Sequence, residues 1–174
     1  MDVWKEFDQN IITHSAAHHL MAIDELLGKL GYARVSDVAR LLNITRGSVS
    51  ISLQPLKKAG LVNQDENRHL RLSPDGQALV DAIKTKRDLF RRLFRDVLGV
   101  PDEQANVDAC KLEHLVSNAT ARQLVALFRY FDAGAAAGHA FLADLHATLP
   151  ACAHDPEQCP TCETECLADK VSGR

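Results

Sequence analysis

No stretch of this 174-residue sequence is apolar for long enough to cross a bilayer. The opening M-D-V-W-K-E-F-D does not read as a secretory leader. The expected compartment is the cytoplasm, with no membrane partner. The sequence also has no Gly-rich phosphate loop, no nucleophile–base pair and no paired catalytic carboxylates, so an enzyme is not expected. It has no internal repeat. Nor is it basic overall: the net charge is −3. Cysteine is scarce before the tail. Cys110 stands alone, and Cys152, Cys159, Cys162 and Cys166 follow close to the end. In a reducing compartment such thiols suit metal or redox chemistry better than structural disulfides.

The charge is unevenly spread. From Arg34 to Asp96 there are 13 Lys and Arg against 7 Asp and Glu, a balance of +6, which leaves −9 for the remainder. A basic portion beside an acidic one suits a protein that meets nucleic acid with one end only. Asn43 to Leu72 lies inside the basic portion. A short helix ends near Asn43, Thr45 can cap the next, and that helix runs from Arg46 to Ala59, where Gly60 closes it. Leu61 and Val62 open a strand, Asp65 to Asn67 supply a turn, and His69 to Leu72 return. This order is a winged helix-turn-helix, whose second helix enters the major groove of double-stranded DNA. Val49, Leu53 and Leu56 fall on its core face. The expected DNA contacts are Thr45, Arg46, Ser48 and Ser50 on the helix, and Arg68 or Arg71 on the wing. Pro55 is awkward within a helix because it lacks an N–H.

The periodicity predicts a first helix from Ile11 to Leu30 that carries His14, His18 and His19. His14 and His18 are four apart and share a face. Ser36 is the expected cap of the helix from Asp37 to Leu42. After the wing, Ser73 and Pro74 open a long helix to about Leu98, with basic and apolar residues interleaved. A helix follows from Pro101 to Val116, then one capped by Ser117 or Asn118, then an Ala-rich one from Ala135 to Leu149. The fold class expected is mainly α: an N-terminal winged helix-turn-helix (1–73), a linker helix with a helical dimerisation domain (74–149), and a Cys-rich C-terminal tail (150–174).

Two places carry metal-binding chemistry. Cys110, Glu113 and His114 stand at i, i+3 and i+4, so on a helix they project from one face. Thiolate, carboxylate and imidazole together favour Fe(II), Co(II), Ni(II) or Zn(II) over Mg(II). The tail reads C-x6-C-x2-C-x3-C across Cys152, Cys159, Cys162 and Cys166. Four thiolates so close fit a tetrahedral Zn(II) or an iron–sulfur cluster. The cluster is the preferred reading, because it would act as a sensor of iron.

The order of motifs carries a resemblance. G-Y-A-R-V-S-D-V-A-R-L-L at Gly31 to Leu42, L-K-K-A-G-L-V at Leu56 to Val62, L-S-P-D-G at Leu72 to Gly76 and C-K-L-E-H-L-V-S at Cys110 to Ser117 resemble the diphtheria toxin repressor family, which includes the manganese transport regulators. The resemblance covers about Thr13 to Phe131. It implies a homodimer in which a divalent metal drives binding to a DNA operator, with repression as the sign. It implies metal ligands at Cys110, Glu113 and His114, and a first-helix ligand at His18. A further ligand position falls on Met21. Two positions of the family's second metal site fall on Arg87 and Arg91, and arginine cannot ligate. An Arg87–Glu113 salt bridge in place of that metal is the expected consequence. The family's C-terminal barrel has no counterpart before the tail.

Together these readings predict a DNA-binding transcriptional regulator responsive to iron through a cluster on the tail. The alternative is a repressor activated by Fe(II) or Mn(II) at Cys110, Glu113 and His114, with structural Zn(II) on the tail. A thiol relay through Cys159 and Cys162, or a metal buffer, are the rival classes.

Overall fold

The computed structural model describes residues 13–134 and 136–148. The tail expected to hold the cluster, with Cys152, Cys159, Cys162 and Cys166, lies outside the described residues.

Thr13 caps the first helix, α1 (His14–Leu30), by accepting the Ala16 N–H, and Gly31 ends it in the left-handed region at φ 76°. Its buried face is Ala17, Leu20, Ile23 and Leu26, the stripe expected from the spacing. The next helix, α2, spans Val35–Leu41. Ser36, expected to cap it, lies inside it. Arg34 takes the cap position through its backbone, and its carbonyl accepts from the Asp37 and Val38 amides. The turn after α2 uses Asn43 at φ 54°, a conformation that Asn tolerates better than most residues.

The second helix of the helix-turn-helix, α3 (Arg46–Lys58), starts as its sequence predicts. The Thr45 side chain accepts the Ser48 N–H, and Val49, Leu53 and Leu56 are buried. Pro55 is held within the helix, although it has no N–H to give the Ile51 carbonyl. The wing is β1 (Val62–Gln64) paired antiparallel with β2 (Leu70–Leu72), in the register Val62 opposite Leu72. Arg68 turns the hairpin at φ 63°.

Ser73 caps the linker helix α4 (Pro74–Arg92) by accepting the Gly76 N–H. Gly76 is required here. A Cβ added to it would stand 2.2 Å from the Leu61 carbonyl oxygen, so α4 presses on the chain entering the wing. One core joins α1, α2, α3, the wing and the start of α4, with Leu20, Ile23, Val38, Val49, Leu53, Leu70 and Val80 fully buried. Asp24 on α1 adds a polar tie to α4: it accepts from Gln77 at 2.9 Å and pairs with Lys84.

A π-helical turn, Leu93–Val97, ends the linker. Two short helices follow, α5 (Asp102–Leu112) and α6 (Asn118–Asp132), and Ser117 caps the latter by accepting the Thr120 N–H. Arg91 makes a two-pronged bond to Asp102, and the Lys86 ammonium donates to the Val116 carbonyl at 2.8 Å. Both tie α4 to the α5 segment.

Contacts divide the chain after Phe128. The second unit holds the last turn of α6 and the Ala-rich α7 (Ala136–Thr148), where Phe131 and Phe141 stack. Among the described residues no helix is long and apolar enough to cross a membrane.

Candidate metal centre and nucleic-acid interface

α5 stops at Leu112, short of the Val116 that the sequence suggests. Of the three residues Cys110, Glu113 and His114, only Cys110 therefore lies inside a regular helix. Glu113 caps the helix and His114 follows in a turn. The three do not share one helical face as expected. Cys110 reaches toward α1, and its sulfur lies 3.4 Å from Nε2 of His18. His14, one turn earlier on α1, completes the group: one donor atom from each of His14, His18 and Cys110 lies within 4.8 Å of the others. The rings of His14 and His18 are 4.4 Å apart, and those of His14 and His114 are 4.8 Å apart. The structure thus gathers His14, His18 and Cys110, with the His114 ring packed beside that of His14. The shared face of His14 and His18 was visible in the sequence. The approach of α5 to that face was not.

Glu113 is placed differently. It is fully buried, its carboxylate stands outside the group of three donors, and neither oxygen accepts a hydrogen bond. The Arg87 Nε lies 3.7 Å from its Oε2. Arg87 therefore faces Glu113, as the sequence suggested, and its guanidinium also reaches Asn106 at 3.5 Å. Arg91, the other arginine at a family ligand position, is committed to Asp102.

Burial sets the protonation of this site. It raises the Glu113 carboxyl to about 7, against the opposing pull of Arg87. Burial also lowers His18, helped by His14 and Arg87, and it lowers His114, helped by His14. Neutral imidazoles are the ligating form. Burial raises the Cys110 thiol, with Glu113 adding to the effect, so a metal there must displace its proton. Nδ1 of His114 is buried and makes no hydrogen bond, an open donor position beside the cluster. Imidazole, thiol and buried open ring nitrogen fit a transition-metal dication. His19 takes no part. It is buried, and its Nδ1–H donates to the Ser15 carbonyl at 2.6 Å.

The residues expected to face DNA lie at the surface. Arg46, Ser48 and Ser50 are exposed on α3, and Arg68 and Arg71 are exposed on the wing. Thr45 is exposed too, but its hydroxyl is occupied in capping α3 and touching the Ser48 hydroxyl. A concave surface lined by Ser36, Arg40, Asn43, Thr45 and Arg46 lies at the start of α3. Sequence reasoning missed Ile51, an apolar residue that is 69% exposed on this helix. Its signal was present: it falls off the Val49–Leu53–Leu56 stripe.

A winged helix, a linker helix and a helical body with a thiol–imidazole cluster at their junction define the class of winged helix-turn-helix proteins with a metal-binding body. Residues 12–70 match the N-terminal DNA-binding domain of the iron dependent repressors, and residues 73–134 match their metal binding and dimerisation domain. The chain is 33% identical over 105 residues to the HTH-type transcriptional regulator MntR of Lysinibacillus sphaericus, covering 60% of this chain and 75% of that protein. It is 34% identical over 88 residues to the iron-dependent repressor IdeR of Mycobacterium leprae, covering 51% of this chain and 38% of the relative. The chain thus spans well under half the length of that repressor. The manganese regulator SloR has the same fold over 68% of this chain and 55% of its own, with TM-score 0.61 and 23% identity. The metal-dependent regulator MtsR gives 0.62 and 22%, over 68% and 55%. The chain belongs to the iron-dependent repressor family, which includes the diphtheria toxin repressors and manganese transport regulators.

Proposed function

We propose that this protein is a metal-dependent, DNA-binding transcriptional repressor. A divalent cation held where α1 meets α5, around His18 and Cys110 with His114 beside them, would control its hold on an operator. The observation that carries this reading is the 3.4 Å approach of Cys110 on α5 to His18 on α1. It ties the body to the first helix of the DNA-binding head. When bound, the metal supplies a cross-link between those two elements. The chain's own residues do the rest: α1 packs on the core that holds α3, and α3 presents Arg46, Ser48 and Ser50 to the groove.

Head (1–73) and body (74–149) divide the work on this reading. Exposed Leu98, Val107, Leu115 and Leu127 on the body support assembly as a homodimer, the form that sets two heads on two half-sites. A divalent-metal site among the described residues is preferred here to the iron–sulfur reading. Family membership favours Fe(II), Mn(II) or Zn(II), and a cluster on Cys152, Cys159, Cys162 and Cys166 has no support from the relatives. No catalytic role is proposed.

The test is selection of duplexes from a random pool, followed by fluorescence anisotropy with and without each divalent cation. Metal should tighten binding to the selected sequence roughly ten-fold or more, a coupling of at least about 1.4 kcal/mol. Equal affinity with chelator and with every cation would sink the proposal.

A further inference from the structure

We infer that His14 is a metal ligand of this protein and that Glu113 is not. The site is thereby rich in nitrogen and sulfur and selects Zn(II) over Mn(II). This rests on the metal-dependent reading above and sharpens it.

The argument is geometric. In a tetrahedral zinc site, bonds of roughly 2.0–2.3 Å set donor atoms about 3.3–3.6 Å apart. The Cys110 sulfur and His18 Nε2 already stand at 3.4 Å. His14 lies within 4.8 Å of both by its nearest ring nitrogen, so a small side-chain rotation closes the set. His14 sits on the first turn of α1 and is exposed, so that rotation disturbs no core packing. The His114 ring packs 4.8 Å from that of His14 and is the fourth donor we assign, although its nitrogens stand outside the group of three.

Glu113 answers to a different partner. Arg87 lies 3.7 Å from its Oε2 and is itself held by Asn106. A dication on the same carboxylate would sit beside a permanent guanidinium charge and be repelled by it. Glu113 therefore faces Arg87, and the carboxyl that would favour a hard cation is withdrawn from the site. Three imidazoles and one thiolate remain, a soft to borderline set that suits zinc and cobalt and disfavours manganese.

Cobalt(II) titration of the full chain tests this, read as wild type minus Cys110→Ser so that absorption from the tail thiolates cancels. The difference spectrum should show a thiolate-to-cobalt charge-transfer band and intense tetrahedral d–d bands. His14→Ala should lose the tetrahedral intensity and weaken zinc competition roughly ten-fold or more, within the range seen when supporting groups of a metal site are lost. Glu113→Gln should keep the spectrum, and Mn(II) should not displace the cobalt. An unchanged spectrum in His14→Ala, with loss in Glu113→Gln, overturns the inference. So does displacement of the cobalt by Mn(II). Anisotropy on the same samples separates the two claims. Metal-tightened DNA binding that survives His14→Ala removes the His14 assignment and leaves the repressor. A cobalt spectrum as expected, with no effect of metal on DNA, does the reverse.

Discussion

The guanidinium of Arg87 lies 3.7 Å from the buried carboxylate of Glu113, at two positions where the family resemblance implies metal ligands. On the inference above, the arginine at position 87 gives Glu113 a partner other than a metal. The pairing remains incomplete: neither Glu113 oxygen accepts a hydrogen bond, and burial still holds its carboxyl near 7.

That value fixes a pH dependence for the metal-free protein. Between the ordinary 4.5 and about 7 the folded chain holds a proton that the unfolded chain has released. The contribution to stability is complete below about 4.5 and is lost as pH rises through about 7. Thermal melts across this range should therefore show wild-type stability falling relative to Glu113→Gln as pH rises. Parallel curves for the two proteins would place the proton elsewhere.

Gly76→Ala should cost roughly 2–3 kcal/mol, at the upper end of overpacking penalties, because the obstacle is backbone rather than a movable side chain. The Leu61 carbonyl oxygen would lie 2.2 Å from the new Cβ. Urea melts measure it. Gly28→Ala, where nothing lies within 4 Å of the added Cβ, is the matched control and should not be destabilised.

Arg46→Ala should weaken duplex binding for all sequences and reduce the salt slope of log K by about 1, the signature of one lost phosphate contact. An unchanged slope, with discrimination lost at a single base pair, would make Arg46 a base reader instead.

Ile51→Ala should leave folding stability within about 0.5 kcal/mol, as befits a surface position. It should lower preference for thymine at one operator position, since an apolar side chain in the major groove reads the thymine methyl. Its 69% exposure on α3 is the reason. Identical sequence preferences for the two proteins in the duplex selection would remove Ile51 from the interface.

Local signals were legible in the sequence. Thr45, Ser73 and Ser117 each cap the helix that follows, because a hydroxyl beside a free N–H settles the matter within four residues. The α2 cap was misread because Arg34 does the work with its backbone, and its side chain leaves no trace of it. The metal centre was half legible. C-x-x-E-H marked the stretch that approaches α1, and the arginine at 87 marked the partner of Glu113. The end of α5 at Leu112 and the nearness of Cys110 to His14 depend on how α4 and α5 pack, and such distances leave no local pattern.

α1 has one further consequence. Its 17 residues make a rod of about 25 Å, at roughly 1.5 Å per residue. His14 and His18 occupy one end, and Leu20, Ile23 and Leu26 grip the core of the head along the rest. Between them Asp24 is tied to Gln77 and Lys84 of α4. On the proposed reading the rod would work as a lever: a pull at the histidine end would be carried along α1 to the core that also holds α3.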